Sequence, residues 1–215
     1  METQKISSPK RKELYAAINC ILVFAIIATV LVMAAGLSAS ATVKFIFLIL
    51  TGWLSWTFTE YFLHRFWMHN HFRNVNSKIY DIHMYHHKHP EEIKINGLHR
   101  SILFSGGLVV LYIALIFNNY FTLFLGFYIG LTFYSLLHIM LHKPWGRYIF
   151  PNVQKAHIHH HGKFPDKGYS FSTILWDWMF GTLPPKEEVI SEKMLRFYFK
   201  PDHHKDTPSA KKWMM

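Results

Sequence analysis

The residues of this chain best suited to chemistry are its histidines, 16 among 215 residues, most of them gathered in four clusters along the sequence. Two clusters have the spacing His-x-x-His-His, and they comprise His83, His86 and His87 in "DIHMYHHKHP" and His157, His160 and His161 in "KAHIHHHGK". Positions i, i+3 and i+4 lie on one face of a helix. Each triplet is therefore expected to aim its imidazoles at one point, as a metal site requires.

The other two clusters lie at the ends of apolar runs. "LLHIMLH" contains His138 and His142, which are four residues apart and therefore share a helical face. "EYFLHRFWMHNH" contains His64 and His69, whose spacing of five residues separates them by about 140° on an α-helix. Either these two bind different metal ions, or the helix ends between them.

Together the clusters supply ten imidazoles, which exceeds the roughly four to six ligands of one metal ion and suits two ions. Imidazole binds Zn, Cu, Fe and Ni, so the residue types leave the metal open. Cys20 is the only cysteine, which excludes a thiolate cluster. Activation of O2 favours redox-active iron, whereas zinc would restrict the site to hydrolysis or to a structural role.

Six further histidines do not fit these spacings. We expect five of them to be solvated or to anchor at a membrane interface: His71, His89, His99, His203 and His204. His159 would act as a ligand only if the register of its helix were shifted. None of the six is therefore assigned to the metal site.

The elements that must position these side chains are long apolar helices. Hydrophobic residues make up 51% of the chain, and the run from Leu14 to Ala35 contains no charged residue. A helix needs about 20 such residues to cross a bilayer. The pattern predicts four crossings, at residues 14–35, 43–63, 102–117 and 120–141. The third is the shortest and carries Gly106 and Gly107, so it would tilt or form a re-entrant segment.

The crossings predict the organisation of the chain and its orientation. We expect a cytosolic segment at residues 1–13, one membrane-embedded domain at residues 14–200 and a mobile tail at residues 201–215. Of the 23 Lys and Arg residues, only Lys44 lies beside the links on the face opposite the histidines. The positive-inside rule therefore makes the histidine face and both termini cytoplasmic. The net charge of +10 is explained by basic residues that orient the protein and bind anionic lipid headgroups. The sequence contains no motif that would indicate nucleic-acid binding instead.

The four clusters, in this order and each next to a membrane segment, resemble the histidine boxes of the fatty acid hydroxylase and sterol desaturase superfamily of integral membrane di-iron enzymes. "EYFLHRFWMH" and "HHHGKFPDKGYSFSTILWDWMFGTL" most resemble the catalytic part of sphingolipid fatty acid 2-hydroxylases, over about residues 60–183. The resemblance implies an all-α integral membrane protein in which four transmembrane helices carry a cytosolic helical cap that holds a dinuclear metal site. Its ligands would be His64, His69, His83, His86, His87, His138, His142, His157, His160 and His161.

The same resemblance implies a lipid monooxygenase with two Fe ions and O2 as co-substrate, in which zinc can occupy the site of a recombinant preparation. Its substrate would be a membrane lipid, hydroxylated on an acyl chain at carbon 2. Electrons would come from a separate donor, a ferredoxin or a cytochrome b5 type of protein with its reductase. We expect a bacterial inner membrane, or otherwise the endoplasmic reticulum.

Two other functions remain open at this point. A carotenoid ring hydroxylase or a sterol oxidase or desaturase would use similar boxes, but the gap from His69 to His83 and the ending "GYSFSTILWDWMFGT" favour the acyl-chain enzymes. A metal transporter needs ionisable groups within its crossings. The histidines gather at one edge instead, which makes transport the less favoured interpretation.

Three carboxylates near the clusters are candidates to support the metal ligands. A metal-bound histidine normally donates its second N–H to a carboxylate, a carbonyl or water. Glu60, Asp81 and Asp177 are placed for this role, with Arg65 as the salt-bridge partner expected for Glu60. We assign Asp177, in "LWDWMF", as the catalytic candidate because the resemblance covers it.

Overall fold

A computed structural model describes residues 9–37, 41–69, 78–92 and 97–199, and this part of the chain is helical and contains no strand. Its elements are α1 (Pro9–Leu37), α2 (Ala41–Phe62), a π-helix (Leu63–Met68), α3 (Lys78–Lys88), α4 (Gly97–Phe117), α5 (Tyr120–Leu141), a 3-10 helix (Pro144–Tyr148), α6 (Pro151–His161), α7 (Leu175–Met179) and α8 (Glu192–Phe199). The predicted all-α class is confirmed. The predicted tail, residues 1–8 of the N-terminal segment, and three histidines lie outside the described residues: His71, His203 and His204.

Three helices of the described residues are long and apolar enough to cross a membrane, whereas four crossings were predicted. The three are Leu14–Met33, Ala41–Met68 and Tyr120–Leu141. The remaining candidate is the shorter apolar helix Ser101–Phe117. At about 1.5 Å per residue it reaches about 25 Å, less than the roughly 30 Å of a hydrocarbon core. A fourth crossing therefore stays a prediction.

Two glycines allow the backbones of α2 and α5 to touch. A Cβ atom on Gly126 would lie 2.1 Å from the carbonyl oxygen of Ile49, and one on Gly52 would lie 1.9 Å from that of Leu123. Any other residue would push the helices apart. Small residues at such contacts are typical of helix packing in membranes, where close backbone approach supplies the van der Waals contact.

Helices α2 and α5 run parallel, because their contacts advance along both helices in the same direction. Gly126 contacts Ile49, and Gly130, further along α5, contacts Trp56, further along α2. Their C-terminal ends therefore lie on the same side of the bundle. The two clusters at those ends are separated by about 70 residues of sequence and are brought together by this packing.

Helix α4 runs antiparallel to α5. Gly106, in the middle of α4, lies against the side chain of Tyr128, while Thr122, at the beginning of α5, donates a hydrogen bond of 3.3 Å to the carbonyl oxygen of Ala114, near the end of α4. Helix α4 thus returns the chain from the histidine end, which allows α5 to run back towards it.

The segment that contains α7 packs against α1 and α2. Phe24 of α1 stacks on Phe58 of α2 with ring centroids 4.3 Å apart, and Trp176 of α7 meets Phe58 edge-on at 5.2 Å. The indole N–H of Trp176 also donates to the Thr57 hydroxyl at 3.0 Å. These contacts fix the 164–180 region beside the end of α2.

Helix α6 lies across the end of α5 and begins at Pro151, a residue that is well suited to the first turn of a helix because it needs no amide donor there. The buried Gln154 side chain donates hydrogen bonds to the carbonyl oxygens of Leu141 and Lys143, at 2.6 Å and 2.7 Å. The last carbonyls of a helix lack partners within it. The Gln154 amide supplies the missing donors and thereby fixes α6 and its histidines against the end of α5.

Candidate metal centre

Nine of the ten predicted ligands lie in two compact groups. Group one consists of His64, His69, His83, His87 and His160, and group two consists of His86, His142, His157 and His161. Within each group the possible ligand nitrogens lie within 4.8 Å of one another, close enough to hold one metal ion. The tenth, His138, lies beside group two, with its Nε2 atom 3.3 Å from that of His142.

The Nε2 atoms of group one converge on one point. The Nε2 atom of His64 lies 3.0 Å from that of His83, 3.1 Å from that of His160 and 3.3 Å from that of His69. A ring nitrogen makes one hydrogen bond, so these contacts cannot all be hydrogen bonds, and converging lone pairs need a cation. Two nitrogens bound at about 2.1 Å to one ion lie about 3 Å apart at octahedral angles. The donor set therefore fits a metal ion.

His64 and His69 belong to the same group because the helix between them is a π-helix. Residues 63–68 follow this geometry, and the His69 amide donates to the His64 carbonyl oxygen, five residues back, at 3.2 Å. A turn closed from i to i+5 brings residues five apart onto one face. The two residues can therefore share one ion, an arrangement that an angle calculated at 3.6 residues per turn does not predict.

Group two has the same all-imidazole composition. The Nε2 atoms of His157 and His142 lie 3.0 Å apart, and the ring centroid of His86 lies 4.7 Å from that of His142 and 4.8 Å from that of His161. The Nε2 atoms of His86 and His161 have no hydrogen-bond partner among the described residues. Buried ring nitrogens without partners are costly, and a metal ion would satisfy them.

Each His-x-x-His-His triplet divides between the two groups, so the expectation that a triplet aims at one point is wrong. In α3, His83 and His87 belong to group one and His86 belongs to group two. In α6 the division is reversed, because His157 and His161 belong to group two and His160 belongs to group one. The groups are adjacent, because the ring of His87 stacks on that of His161 at 4.3 Å. Two adjacent groups of histidines could thus each hold a metal ion, and α3 and α6 contribute residues to both.

Of the histidines outside the spacing pattern, the two whose side chains the structure describes do not enter the groups. His159 is buried on α6 but belongs to neither group. The Nδ1 atom of His89 lies 3.1 Å from the carbonyl oxygen of Tyr85. The backbone of His99 lies in α4, and its side chain is outside the described ones.

The surroundings keep these imidazoles neutral. Burial lowers the pKa of His157, His160 and His161 well below the usual value for histidine, and neighbouring histidines add to the effect. Burial also lowers the pKa of His86 and His87 to about 4. A metal-binding imidazole must be unprotonated. The ligand nitrogens are therefore available near neutral pH.

Two backbone carbonyls orient histidines of group one. The Nδ1–H of His64 donates to the carbonyl oxygen of Tyr169 at 2.6 Å, and that of His160 donates to the carbonyl oxygen of Lys167 at 2.7 Å. A proton on Nδ1 leaves the Nε2 lone pair free for a metal. The carbonyls thus select the tautomer that points Nε2 into group one.

Asp177 does not hydrogen-bond to a histidine within the described residues. Its carboxylate accepts hydrogen bonds from the amides of Tyr169 and Ser170, at 3.0 Å and 2.8 Å, and from the Thr182 hydroxyl at 2.7 Å. Burial raises the pKa of Asp177, and these hydrogen bonds oppose that rise. The carboxylate therefore organises the loop that carries the two carbonyls rather than a metal ligand directly.

The other two carboxylates also lie away from the ligand rings. Glu60 accepts hydrogen bonds from the amides of Phe171 and Ser172 and from the Ser172 hydroxyl. Arg65, its expected partner, donates to the Tyr61 hydroxyl at 2.8 Å. Asp81 is exposed in the first turn of α3. Glu60 thus anchors the same loop as Asp177.

Aromatic rings support group two. The ring of Phe171 stacks on His138 at 4.9 Å and meets His157 edge-on at 4.7 Å. The ring of Tyr198, in α8, stacks on His142 at 4.6 Å, and its hydroxyl donates to the Leu141 carbonyl oxygen at 3.1 Å. Ring packing therefore restrains these imidazoles from the side opposite the cluster.

An apolar cavity of about 250 Å³ reaches both groups. It is lined by Met68, Ile79, Ile82, His83, His86, Tyr134 and His138. Sequence reasoning did not assign Met68, Ile79 or Ile82 to the site. Ile79 and Ile82 precede the histidines of α3 by four residues each, so the i, i+4 rule applied to apolar residues would have found them.

Comparison with known proteins finds similarity to fatty acid hydroxylases. The fatty acid hydroxylase family model matches residues 48–182. The dihydroceramide fatty acyl 2-hydroxylase FAH1 of Arabidopsis thaliana is 34% identical over 149 residues, which cover 64% of this chain and 60% of that protein. The fatty acid 2-hydroxylase of Mus musculus is 32% identical over 155 residues, which cover 66% of this chain and 41% of that protein.

A solved structure of full-length scs7p, in which only the hydroxylase domain is visible, superposes with a TM-score of 0.48 at 20% identity. The superposition covers 80% of this chain and 68% of that one. The chain matches 60% of the plant relative and 41% of the mouse relative, so much of their length has no counterpart in the alignment.

Proposed function

Because the chain belongs to the fatty acid hydroxylase family, we propose that it is a membrane-bound hydroxylase of a lipid acyl chain, acting at carbon 2. The observation that carries the proposal is the convergence of nine imidazoles into two adjacent groups at the end of an apolar bundle. The similarity to proteins named as fatty acid 2-hydroxylases supports the choice of substrate and carbon.

Two Fe ions are the proposed cofactors, held by groups one and two with His138 as the tenth ligand. Bound iron would supply the activation of O2, by which R–H, O2, two electrons and two protons become R–OH and water. The all-imidazole donor sets suit iron and also zinc, which explains why a recombinant preparation can load zinc. The electrons come from a separate donor, a ferredoxin or a cytochrome b5 type of protein with its reductase.

The chain's own residues bind and orient the substrate. The side chains of Met68, Ile79 and Ile82 offer an acyl chain an apolar path to His83 and His86, which line the same cavity. The same apolar lining excludes water from the reacting carbon. A polar lipid head would remain outside, because the cavity offers it few polar partners.

The proposed topology has four crossings, with α3, α6 and the 167–172 loop forming a cytosolic cap. Helices α2 and α5 run parallel, and α4, which lies between them in the sequence, runs antiparallel to α5. These directions support α4 as the crossing that brings the chain back through the membrane. The basic residues support a cytoplasmic position for the cap and both termini. Residues 14–200 would form one membrane-embedded domain, in a bacterial inner membrane or in the endoplasmic reticulum.

Lipid analysis of cells that express the chain tests this function. Mass spectrometry should find acyl chains heavier by one oxygen, and fragmentation should place the hydroxyl on carbon 2. Cells that express the H157A/H161A variant, which lacks two ligands of group two, supply the matched control. Acyl chains lighter by two hydrogens would identify a desaturase instead, and an oxidised ring lipid would identify a carotenoid or sterol enzyme. An unchanged lipidome with the intended electron donor present would contradict the proposal.

A further inference from the structure

The loop 167–172 connects a buried carboxylate to a metal-binding imidazole through a single peptide group. The peptide between Tyr169 and Ser170 carries the carbonyl that accepts from His64 and the amide that donates to Asp177. These two groups belong to one planar unit. Fixing the amide at 2.8 Å from the carboxylate therefore fixes the direction of the carbonyl.

A second peptide of the same loop is held in a similar way. The Lys167 carbonyl accepts from His160, and the Gly168 amide of that peptide donates to the Thr182 carbonyl oxygen at 2.8 Å. Thr182 in turn donates its amide to the backbone carbonyl oxygen of Asp177 and its hydroxyl to the Asp177 carboxylate. Gly168 has φ +71 and leaves no room for a Cβ, which would lie 2.8 Å from the Ala156 carbonyl oxygen.

Both peptides that orient histidines are thus connected to Asp177 by hydrogen bonds, the 169–170 peptide directly and the 167–168 peptide through Thr182. A negative carboxylate at the amide end of a peptide polarises it and strengthens the carbonyl as an acceptor. A stronger acceptor on Nδ1–H makes the imidazole a better metal ligand. The arrangement is a carboxylate–histidine–metal triad with one peptide group inserted.

Three of the four histidines of group two lack such support among the described residues. The Nδ1 atoms of His142, His157 and His161 have no hydrogen-bond partner among the described residues. Their rings are restrained by packing against Phe171 and Tyr198 instead. Packing fixes a ring's position but does not raise the basicity of its nitrogen.

We propose that Asp177 is a positioning residue for the metal ion of group one, acting through the 169–170 peptide on His64, and that group one consequently releases its ion more slowly than group two. This inference rests on the proposed metal binding. It assigns Asp177 no contact with the substrate or the metal, and so revises its expected catalytic role.

Zn²⁺ release from the purified full-length chain, followed with a chromogenic chelator, tests the proposal. The wild-type chain should release two ions in two phases. The H142A/H157A/H161A variant, which keeps only His86 of group two, should retain only the slow phase, and the H69A/H83A/H87A variant, which keeps only His64 and His160 of group one, should retain only the fast phase. A group-one ion that leaves as fast as the group-two ion would overturn the proposed difference.

The D177N substitution then separates positioning from general support of the fold. An asparagine can accept from one of the two amides but presents its NH2 group to the other. D177N should accelerate release about tenfold in the H142A/H157A/H161A background, within the range for lost outer partners of metal ligands, and leave the H69A/H83A/H87A background unchanged. Equal acceleration in both backgrounds, or in neither, would refute a role specific to group one.

Glu60→Gln is the matched control, because Glu60 is also a buried carboxylate bonded to this loop. It binds the amides of Phe171 and Ser172, whose peptides carry no described hydrogen bond to a histidine. E60Q should accelerate release less than D177N does. Where D177N does not accumulate, T182V removes one hydrogen bond to Asp177 and leaves the carboxylate in place. T182V should then accelerate group-one release selectively, and unchanged release would refute the proposal.

The outcome is independent of whether the proposed function is correct. A chain that binds two ions and shows the D177N effect, yet modifies no lipid, would refute the hydroxylase proposal and support this one. A chain that hydroxylates lipid but shows no selective effect of D177N would support the hydroxylase proposal and refute the positioning role of Asp177.

Discussion

Groups one and two both consist of histidines and both take ligands from α3 and α6, while the π-helix region completes group one and the end of α5 completes group two, but the protein holds them by different means. In group one, the Nδ1 atoms of His64 and His160 donate to backbone carbonyls. In group two, His142 stacks on an aromatic ring and its Nδ1 atom has no hydrogen-bond partner among the described residues. Hydrogen bonding selects a tautomer and strengthens a ligand, whereas stacking only limits where a ring can lie. Two sites of equal composition are therefore expected to differ in metal affinity.

Removal of three ligands from one group should have the largest effect and should be equally severe for both groups. H69A/H83A/H87A leaves only His64 and His160 in group one, H142A/H157A/H161A leaves only His86 in group two with His138 beside it, and the proposed chemistry needs both ions. Lipid hydroxylation, measured by mass spectrometry of extracted lipids, should fall to the background of non-expressing cells in both variants. Activity retained by one of the two would show that a single group suffices.

Separation of α2 from α5 should be the next largest effect, and it should not distinguish the groups. A Cβ on Gly126 would lie 2.1 Å from the Ile49 carbonyl oxygen, so G126A forces the backbones apart at a cost of about 1–3 kcal/mol. Thermal unfolding should occur at a lower temperature, and both ions should be released faster. G107A is the control, since its Cβ would meet Tyr128 at an ordinary 3.4 Å. Loss of one ion alone in G126A would contradict a shared support.

Loss of the Tyr198 ring should affect group two selectively. Y198L removes the ring that stacks on His142, and we expect about tenfold faster release of the group-two ion with group one unchanged. Y198F keeps the ring and should release both ions nearly as the wild type does. F197L, at an exposed neighbouring position of α8, controls for changes in the helix itself. Faster release from group one would show that α8 supports the centre as a whole.

Obstruction of the cavity should give the smallest effect and should leave both metal ions in place. Ile82 lines the cavity and is 61% exposed, so I82W can fold while it narrows the acyl path. We expect KM for a long-chain lipid to rise about 3- to 10-fold, with less change for a shorter chain. I149W, at another exposed isoleucine that does not line the cavity, is the control. An equal rise in KM in both variants would exclude this route.

The sequence predicted the helices and the ten histidines better than it predicted how they are arranged. Hydrophobic runs and i, i+3, i+4 spacing depend on local geometry, so α2, α5, α3 and α6 could be found from residue types. The π-helix at residues 63–68 could not, because residue spacing was converted to angles at 3.6 residues per turn. That assumption separated His64 from His69.

The supporting interactions were hidden from the sequence for a different reason. The carbonyls of Lys167 and Tyr169 are backbone groups, which every residue has, so no residue type marks them. Asp177 was found by resemblance, but its link to the metal centre passes through a peptide that only tertiary structure reveals. Tyr198 lies outside the matched family region and reaches His142 only because α8 folds back over α6.

The metal content and ligand environment of the purified chain test the central claim most directly. After loading with Fe²⁺, elemental analysis should find about two ions per chain, and X-ray absorption at the iron edge should show imidazole nitrogens at about 2.0–2.2 Å. H69A/H83A/H87A and H142A/H157A/H161A should each hold about one ion, and the combined variant none. One ion per chain in the wild type, or an unchanged metal content in either triple variant, would contradict two separate histidine groups that each hold an ion.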